Sequence, residues 1–219
     1  MSVFGIKLII FLSFATGYIP FLSGLILYRR LTKELRWLLY FITVGLIVDL
    51  VLLYLYVHRI HNLWLIHSFT LIEILFLGYI FYSWHVNSKI KMGISWTIYI
   101  YTVLWIVSKF FLEKFNSFDN FTASLSSILL TIMALLTLYC LTHNIEKFEN
   151  NLFQVPIFWI SISVLVSYTA AIFILFLSNR LPNWDFHNAL SIMGNLIYTG
   201  GFLSVIRPKL SGQSSLEPQ

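Results

Sequence analysis

One cysteine, five prolines and nine carboxylates are spread over 219 residues, and each scarcity excludes something. The single thiol, Cys140, rules out an intrachain disulfide. Charged residues make up 11% of the chain, against about 25% in an ordinary soluble protein, which leaves no room for a separate soluble domain. Only Pro20 falls within the body of a long apolar run, and no internal repeat is visible. A transporter built from inverted repeats and broken helices therefore gains no support. The hydrolase signatures Gly-x-Ser-x-Gly and His-Glu-x-x-His are absent. The last apolar run carries no lysine for a retinal Schiff base.

What the chain has is hydrophobic length. Apolar residues reach 58%, and the chain divides into runs close to the roughly 20 residues a membrane-spanning helix needs. The runs cover 5–28, 37–57, 63–84, 93–112, 121–142, 156–178 and 187–206. They are continuous and too long for the alternating strands of about 9–11 residues that build membrane barrels. Helices also satisfy their own backbone groups in lipid. The expected fold is an all-α integral membrane bundle of seven transmembrane helices over residues 1–210, with a disordered cytoplasmic tail at 211–219. The first run reads as a retained helix, kinked or locally opened around Gly17–Pro20. Short polar connections make sequential helices antiparallel neighbours.

The net charge of +5 does not indicate nucleic acid, because the basic residues sit at the ends of the runs. One side carries nine: Arg29, Arg30, Lys33, Arg36, Lys89, Lys91, Lys147, Arg207 and Lys209. The other carries five: Lys7, Arg59, Lys109, Lys114 and Arg180. The positive-inside rule then places the N-terminus outside and the C-terminus in the cytoplasm. Six tryptophans lie near run ends, where interfacial aromatics gather; Trp105 is the exception.

Ionisable groups are few inside the runs, and small residues line several of their faces. Ser124, Ser127, Thr131 and Ala134 share one face of the fifth, and Ser163, Ser167 and Ala171 one face of the sixth. Small residues in these positions indicate close helix packing with hydroxyls bonded to backbone. Ionisable residues are costly in a bilayer and normally turn inward to find partners. Asp49, His67, Glu73 and His187 all fall in the outer half under this topology. His67, Thr70 and Glu73 span an arc of about 120°. His187, Ser191, Gly194, Asn195, Tyr198 and Gly201 form an inward-facing stripe on the seventh run. His67 and Glu73 are six residues apart, whereas metal ligands on one helix usually stand three or four apart. No cofactor is expected; a zinc ion would have to draw on His67, His187, Asp49 or Glu73. His58, His61, His85 and His143 lie in loops or at run ends, where solvation is the default.

Asn62-Leu-Trp-Leu-Ile-His67 through Glu73, then Trp184-Asp-Phe-His187 and Asn195-Leu-Ile-Tyr198, resemble a group of uncharacterised bacterial seven-helix inner-membrane proteins. Similar modules precede histidine kinases in some bacterial sensors. The resemblance implies a sensory or accessory module of the inner membrane, with output supplied by a cytoplasmic signalling protein. The expected site is an outward-facing pocket between the second, third and seventh helices. It would bind a small ligand or a proton through Asp49, His67, Thr70, Glu73, His187, Ser191, Asn195 and Tyr198. The rival reading is a metal-dependent intramembrane lipid hydrolase, for which His187-x-x-x-Ser191 is an incomplete ligand motif. A small-solute transporter stands third.

Overall fold

The computed structural model describes residues 2–3, 6–115, 121–143, 152–177 and 185–206; side chains are described for these apart from 2–7, 56, 173–177 and 185–187. The architecture is helical: α1 (Leu8–Ile26), α2 (Lys33–Val57), α3 (Leu63–Trp84), α4 (Ser88–Phe111), α5 (Phe121–His143), α6 (Pro156–Leu177) and α7 (Asp185–Leu203). Ahead of α1, Ser2–Val3 and Ile6–Lys7 form a minimal antiparallel pair, so the first helix starts at Leu8 and not at residue 5. Six helices, α1 to α5 and α7, are long and apolar enough to cross a membrane, and α6 is apolar over Pro156–Ile172. The protein is a multi-pass helical membrane protein.

Two helices begin well before their apolar runs, and α7, from Asp185, two residues before its own. α2 starts at Lys33 and α4 at Ser88, ahead of residues 37 and 93. Hydropathy marks the stretch that tolerates lipid, whereas the helix continues through charged turns beyond it. Local chemistry sets the ends. Asn87 is extended, and its side chain accepts the backbone N–H of Lys89 at 2.9 Å, capping α4. His85 is extended and stops α3. Arg59 adopts a left-handed φ of 56° in the turn between α2 and α3. α1 runs unbroken through Pro20, which is buried, so the expected local opening does not occur.

Side-chain contacts give the directions. Gly17, Leu46 and Asn195 meet at one level, and Gly24, Leu39 and Phe202 at another. α1 and α7 therefore run together, with α2 opposed. His67 meets Lys109, and Gly78 meets Ile98, so α3 opposes α4. α1, α3, α5 and α7 begin at one end, here the far end, and α2, α4 and α6 begin at the basic end. α1, α2, α3, α5, α6 and α7 close a ring, with α4 packed outside against α3 and α5.

Close approach concentrates between α6 and α7. A Cβ on Gly194 would collide with Ser167 Oγ, and one on Gly200 would lie 2.9 Å from the Trp159 ring. Lipid tails are as apolar as leucine, so such small-residue packing is what holds membrane helices together. The expected small-residue faces fit this: Ser163 Oγ donates to the Gly194 carbonyl at 2.8 Å across the helix pair, and Ser127 Oγ donates to Ala123 O at 2.8 Å. The two halves of the ring differ. Leu35, Leu38, Leu77, Ile80, Phe81 and Phe202 toward the basic end are fully buried. Toward the far end, Ser13, Thr16 and Gly17 of α1 and Asn188, Ser191 and Asn195 of α7 are only half-buried.

Candidate functional site

The site residues expected to share one pocket are distributed over three places. The first is a closed charged cluster. His67 on α3 is fully buried, and its Nδ1 lies 2.6 Å from Lys109 Nζ on α4. An ammonium only donates, so Nδ1 accepts and the imidazole carries its proton on Nε2. Lys109 also donates to Thr122 Oγ1 at 2.9 Å and pairs with Glu113 Oε2 at 3.5 Å. Glu113 follows α4 and caps α5. Its Oε1 accepts the Phe121 N–H at 2.5 Å, and its Oε2 accepts the Thr122 N–H at 3.2 Å and the Thr122 hydroxyl at 3.1 Å. Those are N–H groups that a helix start leaves unpaired, and the negative charge suits the positive end of the α5 dipole. Burial pushes the Glu113 carboxyl upward. The two N–H donors, the Thr122 hydroxyl and Lys109 outweigh it and hold the group below its ordinary range. Phe115 covers the His67 ring, and Trp105 Nε1 donates to the His67 carbonyl at 3.2 Å.

The second place is Glu73. Its Oε1 accepts the Tyr168 hydroxyl of α6 at 3.0 Å. Tyr198 of α7 bonds Ser163 and interacts electrostatically with Glu73. Tyr101 of α4 also acts on Tyr168, while its own hydroxyl donates to the Thr122 carbonyl at 3.2 Å. Tyr101 is fully buried and links the environment of Glu73 to the charged cluster. Thr70, between His67 and Glu73, turns its hydroxyl to the Ile66 carbonyl at 3.0 Å.

The third place is the far end of α1, α2 and α7. Asn195 Nδ2 donates to Thr16 Oγ1 at 3.3 Å, so its hydrogen-bond partner comes from α1, which the expected pocket did not include. Asp49 lies about 20° around α2 from Leu38 by the helical repeat. Leu38 is fully buried, yet Asp49 is exposed. Asp49 is thus not enclosed in the way its angular position suggests. The α7 stripe does face inward: Gly194, Tyr198 and Gly201 are buried and Ser191 and Asn195 half-buried, while Met193 and Leu196 are exposed. His187 belongs to the first turn of α7, but its side chain lies outside the described residues.

Chemically, the three places differ. The charged cluster is sealed, with its donors and acceptors turned toward one another. Glu73 is a half-buried carboxylate held by a phenol. Among the described residues, no three of His, Cys, Asp and Glu are grouped to hold a metal ion. His67 and Glu73 face different helices, and a cation already occupies the Nδ1 of His67.

Sequence reasoning missed Lys109, Glu113, Thr122, Tyr101 and Tyr168. Lys109 counts there as a boundary charge, yet it is 9% exposed and bound on three sides. The i,i+4 spacing of Lys109 and Glu113, and Trp105 as the one tryptophan away from a run end, were the available signals. His85 is a second correction: it is buried, with Nε2 3.1 Å from Thr137 Oγ1. Burial and the nearby Lys91 push its pKa down, so its neutral form is favoured. No protein-family model, no curated protein and no solved structure matches this chain.

Proposed function

We propose that this chain is a sensory or accessory module of a bacterial inner membrane. It has seven spans, its N-terminus is outside and its C-terminus is cytoplasmic. The exposed side chain of Asp49 marks where a proton or a small polar solute enters on its way to Glu73. The observation that carries this reading is the bond from Tyr168 to Glu73, which ties α3 to α6 inside the bundle. A charged Glu73 accepts from Tyr168; a protonated one gains a donor of its own and loses its strongest claim on the phenol. The α3–α6 contact is then the element that changes, and α7 moves with α6 through the close Gly194 and Gly200 contacts. A cytoplasmic partner reads the displacement at the basic end. The orientation gains support from Lys109, because a buried, paired lysine drops out of the count on the sparser side.

The test is a pair of spin labels at Val86 and Ile206, both exposed, on a Cys140→Ser background in nanodiscs. Distances are measured by pulsed dipolar spectroscopy as the pH is lowered from about 8 to about 5. The distribution should shift with pH, stay fixed in Glu73→Gln, and move its midpoint in Asp49→Asn. A wild-type distribution that ignores pH, or a shift that survives Glu73→Gln, would count decisively against the proposal.

A further inference from the structure

At the basic end, the last turn of α3 and the first turns of α4 enclose a groove of about 300 Å³, lined by Tyr82, Ser88, Lys91, Met92, Ser95 and Trp96. All but Tyr82 are on one face of α4, at the i, i+3, i+4, i+7 and i+8 spacings of a helical stripe. Lys91 is the only charged residue in the lining, and its ammonium is held 5.4 Å from the centroid of the Tyr82 ring. Among the described residues, the hydroxyls of Ser88 and Ser95 make no hydrogen bond. The groove therefore presents one fixed cation and two available hydroxyls, beside the positive end of the α4 dipole.

We infer that this groove seats the phosphate of an anionic glycerophospholipid. A cation with hydroxyl donors and no opposing carboxylate selects a phosphate. The same helix face selects a lipid over a free phosphate. Met92, Trp96, Tyr99 and Val103 continue the stripe toward mid-membrane, and all four are exposed. From Lys91 to Val103 is twelve residues, or about 18 Å of helix, comparable with half of a roughly 30 Å hydrocarbon core. The polar head of the stripe meets the headgroup, and the apolar part lies along an acyl chain. Tyr82 and Trp96 are at the interfacial level where amphipathic rings settle.

The experiment is native mass spectrometry of the detergent-purified full chain, titrated with phosphatidylglycerol or with phosphatidylcholine of identical acyl chains. Wild type should bind the first phosphatidylglycerol about fivefold more tightly than phosphatidylcholine, the worth of one lysine against an anionic headgroup. Lys91→Ala should remove that preference, and Lys91→Arg should retain most of it. Ser88→Ala with Ser95→Ala should weaken phosphatidylglycerol binding while leaving phosphatidylcholine unchanged. Lys89→Ala, outside the groove, should bind as wild type. Equal affinity for the two lipids, an unchanged preference in Lys91→Ala, or an equal loss in Lys89→Ala would each overturn the assignment. Glycerol 3-phosphate is the final arm: binding as tight as that of the lipid would mean the groove takes a soluble phosphate, and the lipid assignment would fail.

Discussion

His67 and Glu73 sit on one helix about 9 Å apart along its axis, and they live in opposite circumstances. His67 is enclosed by α4 and α5, with an ammonium on its ring nitrogen and an indole on its carbonyl. Glu73 is half-buried, and its bond to Tyr168 comes from the other side of the ring. The difference teaches how one membrane helix carries both a fixed and a variable polar group. Where Lys109, Glu113 and Thr122 close a circuit, each charge has its counter-charge and the arrangement is rigid. Glu73 meets a phenol instead, and in the proposed function its proton changes.

Three perturbations should break or sharpen this contrast. The largest effect belongs to Lys109→Ala, which strands the Glu113 carboxylate and the His67 lone pair. Removing one partner of a buried pair costs about 3 kcal/mol or more, so thermal unfolding in detergent should occur at a clearly lower temperature. Lys109→Met with Glu113→Gln should recover part of the loss, since a neutral pair leaves no stranded charge. A single variant as stable as wild type would show that the cluster holds nothing together.

Acid comes next. Glu113 is held below its ordinary range, so the folded state favours its charged form. The stability this contributes is complete above the unfolded value and is lost as pH falls through the folded one. The melting temperature should therefore drop below about pH 4, where free carboxylates take up protons. Glu113→Gln should be less stable at neutral pH and should lose less on acidification. Parallel melting curves for the two proteins across that window would remove Glu113 from the account.

The smallest effect is expected at Glu73. Glu73→Gln keeps an acceptor for Tyr168, and single hydrogen bonds between membrane helices average about 0.6 kcal/mol. Its melting temperature should stay close to wild type while the pH-dependent spin-label shift disappears. A collapse in stability comparable to Lys109→Ala would mean that Glu73 belongs to the rigid framework too.

Much of the architecture was legible beforehand. The apolar runs at 63–84 and 121–142 match α3 and α5 nearly residue for residue. The inward stripe of α7 was also readable, because small and polar residues recur at helical spacing. The site was less so. Lys109 and Glu113 stand at a helix end, where charges are ordinarily solvated, and only the tertiary structure shows Glu113 bonded to the start of α5. Asp49 shares the angular position of a buried leucine, and helical repeat alone does not tell that it is exposed.

Composition and periodicity by themselves determined the solvent, the helices and which polar residues lie at membrane depth. The physical reason is that transfer into lipid is a property of each segment on its own, and a helix satisfies its backbone internally. Only the tertiary structure decided which helix each polar group faces. Lipid and protein interior are equally apolar to a side chain. The choice of His67 for Lys109, and of Glu73 for Tyr168, therefore rests on how the helices rotate and pack against one another.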